Sequence, residues 1–282
     1  MAMLLTEQAI RRETKLLTEV VTLKNKSYKL SYWRTTGRVI YYGPLEGPNL
    51  LWRNLNAPRK PGEWANFGGD KLWLAPESLW GWPPDPDLDG SGYDVTLLAN
   101  GFVARSPVSK KYNVRLERRV TLDPKTSLAR FENKLTNVGN KIIEMSIWQV
   151  AQVAEPDAVI LPIEKSPLYP KGYAILQDID NSAYETSTGA ELRVRSNPRQ
   201  TVSYTGGALA GYVAAERANM RFVMRSRFEA SGVYPDRGRA QQVSSTRDST
   251  RYAELELCTP LRRIAPGKSM SQRVEWEVIS LR

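Results

Sequence analysis

The 282-residue chain is 41% hydrophobic and 25% charged, which excludes a collagen-like, coiled-coil or wholly disordered protein. It has no histidine and one cysteine, Cys258, so an imidazole base, a Ser-His-Asp triad, a histidine-ligated metal and an internal disulfide are excluded. The net charge of +10 favours anionic partners in general, yet residues 61–100 hold one basic residue against seven acidic ones.

Residues 1–20 carry Glu7, Arg11, Arg12, Glu13 and Lys15 and no continuous apolar core. That pattern is not a secretory signal, and the sequence leaves open a cytoplasmic protein or a processed exported form. Thr6 as cap and apolar Ala9, Ile10, Leu16 and Leu17 predict a helix there, an appendage to the main domain. No apolar run approaches the ~20 residues of a membrane helix.

From residue 21 onward the apolar period changes to two. Strands are predicted at 28–33, 37–42, 114–122, 127–135 and 142–153. Further strands are predicted at 190–195, 200–204, 209–215, 219–228, 251–258 and 272–281. Asp123-Pro124, Asn137-Val138-Gly139-Asn140, Asn197-Pro198, Gly206-Gly207 and Pro266-Gly267 supply turns between them. Many strands without interleaved helices imply one all-β domain over 21–282, a large antiparallel sandwich. The basic residues of 110–119 alternate with apolar ones, as on a solvated sheet face rather than a nucleic-acid surface.

Residues 64–93 interrupt this pattern. They hold four of the eight tryptophans, a run of carboxylates, and prolines and glycines that predict a long irregular loop. Such loops on a rigid scaffold commonly carry binding function. Lys71, Trp73, Glu77, Trp80, Trp82 and Tyr93 are candidate ligand contacts. The tryptophans either stack on sugar faces or form an aromatic core within the loop. Lys71 either holds an anionic group or pairs with Asp70, Glu77 or Asp85. Asp85, Asp87 and Asp89 with Gly90 match the start of a calcium loop. Thr96 stands where the closing glutamate belongs and no helix flanks the segment, so a charged surface turn is the favoured reading and no cofactor is expected.

Asn66-Phe67-Gly68-Gly69-Asp70-Lys71-Leu72-Trp73, followed by Pro83-Pro84-Asp85-Pro86, Asp89-Gly90 and Tyr93, resembles an uncharacterised bacterial family of the galactose-mutarotase-like superfamily. Gly37-Arg38-Val39-Ile40, Asn49-Leu50-Leu51-Trp52, Leu135-Thr136-Asn137-Val138-Gly139 and Ala265-Pro266-Gly267-Lys268 are similar to its flanking elements. The resemblance spans about residues 25–282. It implies a supersandwich with a carbohydrate-binding cleft. Aldose epimerases of that superfamily use a histidine acid and a glutamate base. Here the histidine strand reads Ser146-Ile147-Trp148-Gln149-Val150, placing Trp148 or Gln149 near that position. The glutamate strand remains as Glu254-Leu255-Glu256. The resemblance therefore adds Arg38, Trp148, Gln149 and Glu254 as ligand-binding candidates and Glu256 as the catalytic candidate. Arg38 by itself reads equally as an ion-pair partner. The expected function is carbohydrate binding or sensing without mutarotation. The alternative is a sugar epimerase or lyase-like enzyme that pairs Glu256 with a non-histidine group.

Overall fold

The computed structural model describes residues 19–58, 64–246 and 252–281. The helix predicted over 1–20 lies outside these residues except at its last two positions, and Val20 already opens the first strand. The described residues are almost entirely β. Sheet one runs in the order β1 (Val20–Lys24), β2 (Tyr28–Trp33), β3 (Arg38–Pro44), β4 (Asp70–Ala75), β9 (Ile143–Ala154), β18 (Tyr252–Cys258), β17 (Gln241–Ser245), β14 (Val202–Gly206) and β11 (Ala174–Ile175), with β19 (Arg262–Ile264) also on β9. Sheet two runs β12 (Glu185–Ser187), β13 (Glu191–Val194), β10 (Ala158–Pro162), β15 (Tyr212–Arg217), β16 (Met220–Ser226), β20 (Ser269–Ser280), β8 (Ala129–Asn137), β7 (Val114–Leu122), β6 (Gly101–Arg105) and β5 (Asp94–Leu98). Every pairing is antiparallel, and no helix among the described residues is long and apolar enough to cross a membrane.

The two sheets differ in how they meet water. β7 and β8 alternate strictly: Val114, Leu116, Val120, Phe131 and Leu135 point inward, while Arg115, Arg119 and Lys134 are exposed. This is the pattern of an antiparallel sheet with one dry face. In sheet one, β4, β17 and β14 are instead buried along their whole length, and β9 nearly so. Both faces of the middle of sheet one are therefore covered. Between the sheets, Tyr42, Phe131 and Phe222 pack on Trp276 at ring separations of 4.4–5.1 Å.

A polar network crosses this core. Arg118 pairs with Asp70 at 2.5 Å, and Gln149 donates to the other Asp70 oxygen at 2.8 Å. Asn133 accepts from Arg118 and donates to Gln149 and Gln272, and Gln272 donates to the Leu257 carbonyl. Six strands from both sheets meet there. A one-residue slip of any strand would strand a buried polar group, so the network selects register.

The segment predicted as an irregular loop contains β4, a central strand of sheet one. Its core Leu72-Trp73-Leu74 shows no alternation because both its faces are covered, which is why period two is silent there. Gly68 and Gly69 lead into it with φ of +75° and +71°. A Cβ on either would come within 2.4 Å of the Trp52 or Val39 carbonyl oxygen, so glycine is required by both conformation and space.

Candidate functional site

Strand parity sets which side chains line the outer face of sheet one. Lys71 on β4 is in register with Val150 on β9, which faces Glu256 on β18, which faces Gln242 on β17. The four form one row across the sheet. The next row toward the C-terminal end of β4 holds Trp73, Trp148 and Cys258. With strands about 4.8 Å apart, Lys71 and Glu256 lie about 10 Å apart at their backbones, within reach of each other's side chains.

Glu256 is only 3% exposed. Trp148 Nε1 donates to its Oε2 at 2.9 Å, and Gln242 Nε2 donates to its Oε1 at 2.8 Å, with Ser244 Oγ at 3.3 Å. Burial, reinforced by the charge of Glu254, raises its carboxyl to about 7. Lys71 is 1% exposed. Its Nζ makes no hydrogen bond, lies 3.6 Å from Glu254 Oε1, and sits 4.7 Å from the centre of the Trp73 ring. Burial pushes the Lys71 amine below the ordinary lysine range, against the pull of Glu254. The partner is thus Glu254, not the predicted Asp70, Glu77 or Asp85. Gln152 Nε2 also donates to Glu254 at 3.0 Å. The amine is thus shifted down and the carboxyl up within one row of the sheet.

The cover over this floor is aromatic. Trp73 packs edge-on against Trp148 at 5.2 Å, Trp80 at 5.9 Å and Trp82 at 6.3 Å, and Trp64 packs on Trp82 at 4.8 Å. Trp82 alone of this group is largely open, 59% exposed. Asp89 ties the cover down. It pairs with Arg38 and accepts from both Trp64 Nε1 and Trp73 Nε1 at 2.8 Å.

Several predicted contacts have their polar groups engaged within the fold. Arg38 is fully buried, held by Asp89 and the Gly68 carbonyl, and so takes the ion-pair place that the sequence left open beside ligand contact. Trp73 is buried and its N–H is taken by Asp89. Trp80 Nε1 donates to the Leu74 carbonyl, and the Tyr93 hydroxyl donates to that of Leu88. Gln149 points between the sheets into the Asp70 network, because on β9 it has the opposite parity to Trp148. The three aspartates of the calcium-like pattern serve separate partners. Asp85 accepts from Ser109 Oγ and the Asp87 N–H, Asp87 from the Lys110 N–H, and Asp89 as above. Among the described residues no group of three potential metal ligands converges.

Glu77 lies at the rim. Arg239 Nη1 is 3.4 Å from its Oε2, and the Glu77 N–H donates to Asp236 at 2.8 Å. The 76–82 and 235–239 segments thereby meet above the floor. A cavity of about 10 Å³ remains beneath Asp236 and Arg239, against Trp148, Gln242, Glu256 and Cys258. It has room for about one water molecule, with Glu256 at its wall. The sequence reading missed Gln152, Gln242, Ser244, Asp236 and Arg239. Gln241-Gln242-Val243-Ser244-Ser245 carries no apolar alternation and so announced neither a strand nor a site.

No family model matches the chain, and no curated protein does. Solved structures match its fold. A proposed mutarotase of Salmonella typhimurium superposes with a TM-score of 0.62 at 11% identity, covering 93% of this chain and 90% of that one. A galactose mutarotase-like protein of Lactobacillus casei gives 0.60 at 9% identity, with 92% and 100% covered. A proposed aldose 1-epimerase of Escherichia coli gives 0.55 at 12% identity, with 93% and 99% covered. With both sheets accounted for and nearly the whole length of each chain superposed, this protein has the galactose mutarotase-like fold.

Proposed function

We propose that the outer face of sheet one binds a carbohydrate, with Lys71, Trp148, Glu254 and Glu256 as its contacts and Trp82 as an aromatic wall. The observation that carries this reading is the Lys71 amine, buried without a hydrogen bond in the same row as Glu256. A buried donor that has an ion-pair partner but no hydrogen bond still costs stability, and a ligand hydroxyl or carboxylate would satisfy it. The likeness to structures described as mutarotase-like supports a sugar as that ligand. The chain has no histidine, so the histidine-dependent route of ordinary aldose mutarotation is not open to it.

A second reading, a carbohydrate-active enzyme, is favoured by one observation. The Glu256 carboxyl at about 7 opposes the lowered amine of Lys71, as a base and acid partner would. A glycan array followed by NMR titration of the hits tests the first reading. Lys71→Met and Glu256→Gln should each weaken binding about tenfold or more, the loss of one charge-assisted hydrogen bond. Full affinity in both variants would reject the site. Exchange NMR on the best ligand separates the readings: isomer exchange above the buffer rate, lost in Glu256→Gln, establishes the enzyme, and its absence leaves a binding protein.

A further inference from the structure

Away from this face lies a trough of about 580 Å³, within the range of small-molecule pockets. It is built where three connections converge, those following β10, β14 and β16, the last of which includes the helical turn Pro235–Gly238. Its rim is aliphatic. Leu168, Leu209 and Val233 each stand more than half exposed, a convergence that water disfavours. Its floor is the stacked pair Phe228 and Tyr234, with rings 5.2 Å apart. Of the two tyrosines, Tyr169 spends its O–H on the Gly238 carbonyl, while the Tyr234 oxygen accepts from the Glu229 N–H. Lys165 and Arg237, both exposed, line it without a carboxylate partner among the described residues, while Glu164 is engaged by the Leu209 N–H at 2.7 Å. Arg237 adopts φ +67° next to Asp236 at +46°, and Asp236 is fixed by its bond to Glu77.

We propose that this trough binds a small amphiphilic anion, an aliphatic chain ending in one carboxylate, sulfonate or phosphate. The aliphatic rim takes the chain, and Lys165 with Arg237 takes the charged end. An unmodified sugar fits less well, because the walls offer it few hydrogen bonds. The proposal is independent of the carbohydrate face, since it shares none of the residues assigned there.

The test is fluorescence titration of the full chain with anilinonaphthalene sulfonate, then displacement by decanoate and by decanol. A saturable rise with one site per chain is expected, with decanoate displacing the dye about tenfold more effectively than decanol. The double variant Leu168→Asp/Val233→Asp should abolish binding while circular dichroism and the urea midpoint stay unchanged, because both side chains are exposed. Lys165→Gln/Arg237→Gln should weaken decanoate about tenfold and leave decanol unaffected. Absence of saturable binding, or binding that survives both double variants, overturns the proposal. Two further results also overturn it. One is co-sedimentation with phosphatidylglycerol but not phosphatidylcholine vesicles that decanoate cannot compete, which makes the surface a membrane contact. The other is a dimer in sedimentation velocity that Leu168→Asp/Val233→Asp dissociates, which makes it a self-interface.

Discussion

Among single residues, Glu256 sets the clearest pH signature. Burial and Glu254 lift its carboxyl to about 7, so between the ordinary glutamate range and neutrality the native state binds a proton that the unfolded chain has released. Stability then falls as pH rises through that window and levels off above it. Glu256→Gln has no such titration and keeps an acceptor for Trp148. Its stability relative to the parent should rise by roughly 2–3 kcal/mol between pH 5 and pH 8, since each tenfold difference in proton affinity between the folded and unfolded chains is worth about 1.4 kcal/mol. Urea unfolding of both proteins across that range measures it, and a constant difference would mean that Glu256 ionises normally. The same scale shows why some residues were legible and others not. Glu254 and Glu256 share a face by the i, i+2 rule alone. Arg38 shows its role only when Asp89, 51 positions away, is placed beside it. Trp148 and Gln149 are adjacent in sequence, yet parity sends one to the outer face and the other into the core.

Taken as elements, the covering segments are held in two different ways. At its base the 64–93 segment is anchored by Asp89, a buried carboxylate with three donors. At its tip it is joined to 235–239 by the half-exposed Glu77–Arg239 pair. Buried and exposed pairs differ sharply in worth. Asp89→Ala leaves Arg38 buried and unpaired and should cost about 3–5 kcal/mol in urea unfolding, with a red shift in tryptophan emission. Arg239→Gln should change stability by less than about 1 kcal/mol yet speed ligand entry in stopped-flow binding, because it frees only the tip. Equal stability losses in the two variants would contradict this division. In sheet two, β7, β8 and β20 were readable because their outer face is wet and they alternate. β4, β10 and β17 were not, because a strand covered on both faces has lost the polar half of its pattern. The β5–β6 hairpin did carry a signal in Asn100-Gly101, a strong turn pair, that went unread.

At the scale of the whole molecule, long-range pairing predicts that the candidate face forms late. β4 pairs with β9 as Asp70 with Ala151, and β9 pairs with β18 as Cys258 with Trp148. The strands that carry Lys71, Trp148 and Glu256 thus come from the first third, the middle and the last part of the chain. Closing such loops precedes any reward from the contacts, so sheet one is expected to fold more slowly than the hairpin-linked run β5–β8, whose neighbours are sequential. The Asp70 network adds a second condition. Asp70, Arg118 and Asn133 lie before residue 140, whereas Gln149 and Gln272 lie after it. A fragment of residues 19–140 would therefore keep β4 without β9 and a buried aspartate without its amide partner. It should give no sigmoidal urea transition by circular dichroism, and adding a fragment of residues 141–282 should restore both the transition and the tryptophan emission of the intact chain. A cooperative transition in the first fragment alone would show that sheet one does not depend on its long-range pairings, and the floor of the site would then have to be regarded as assembled from independently stable parts.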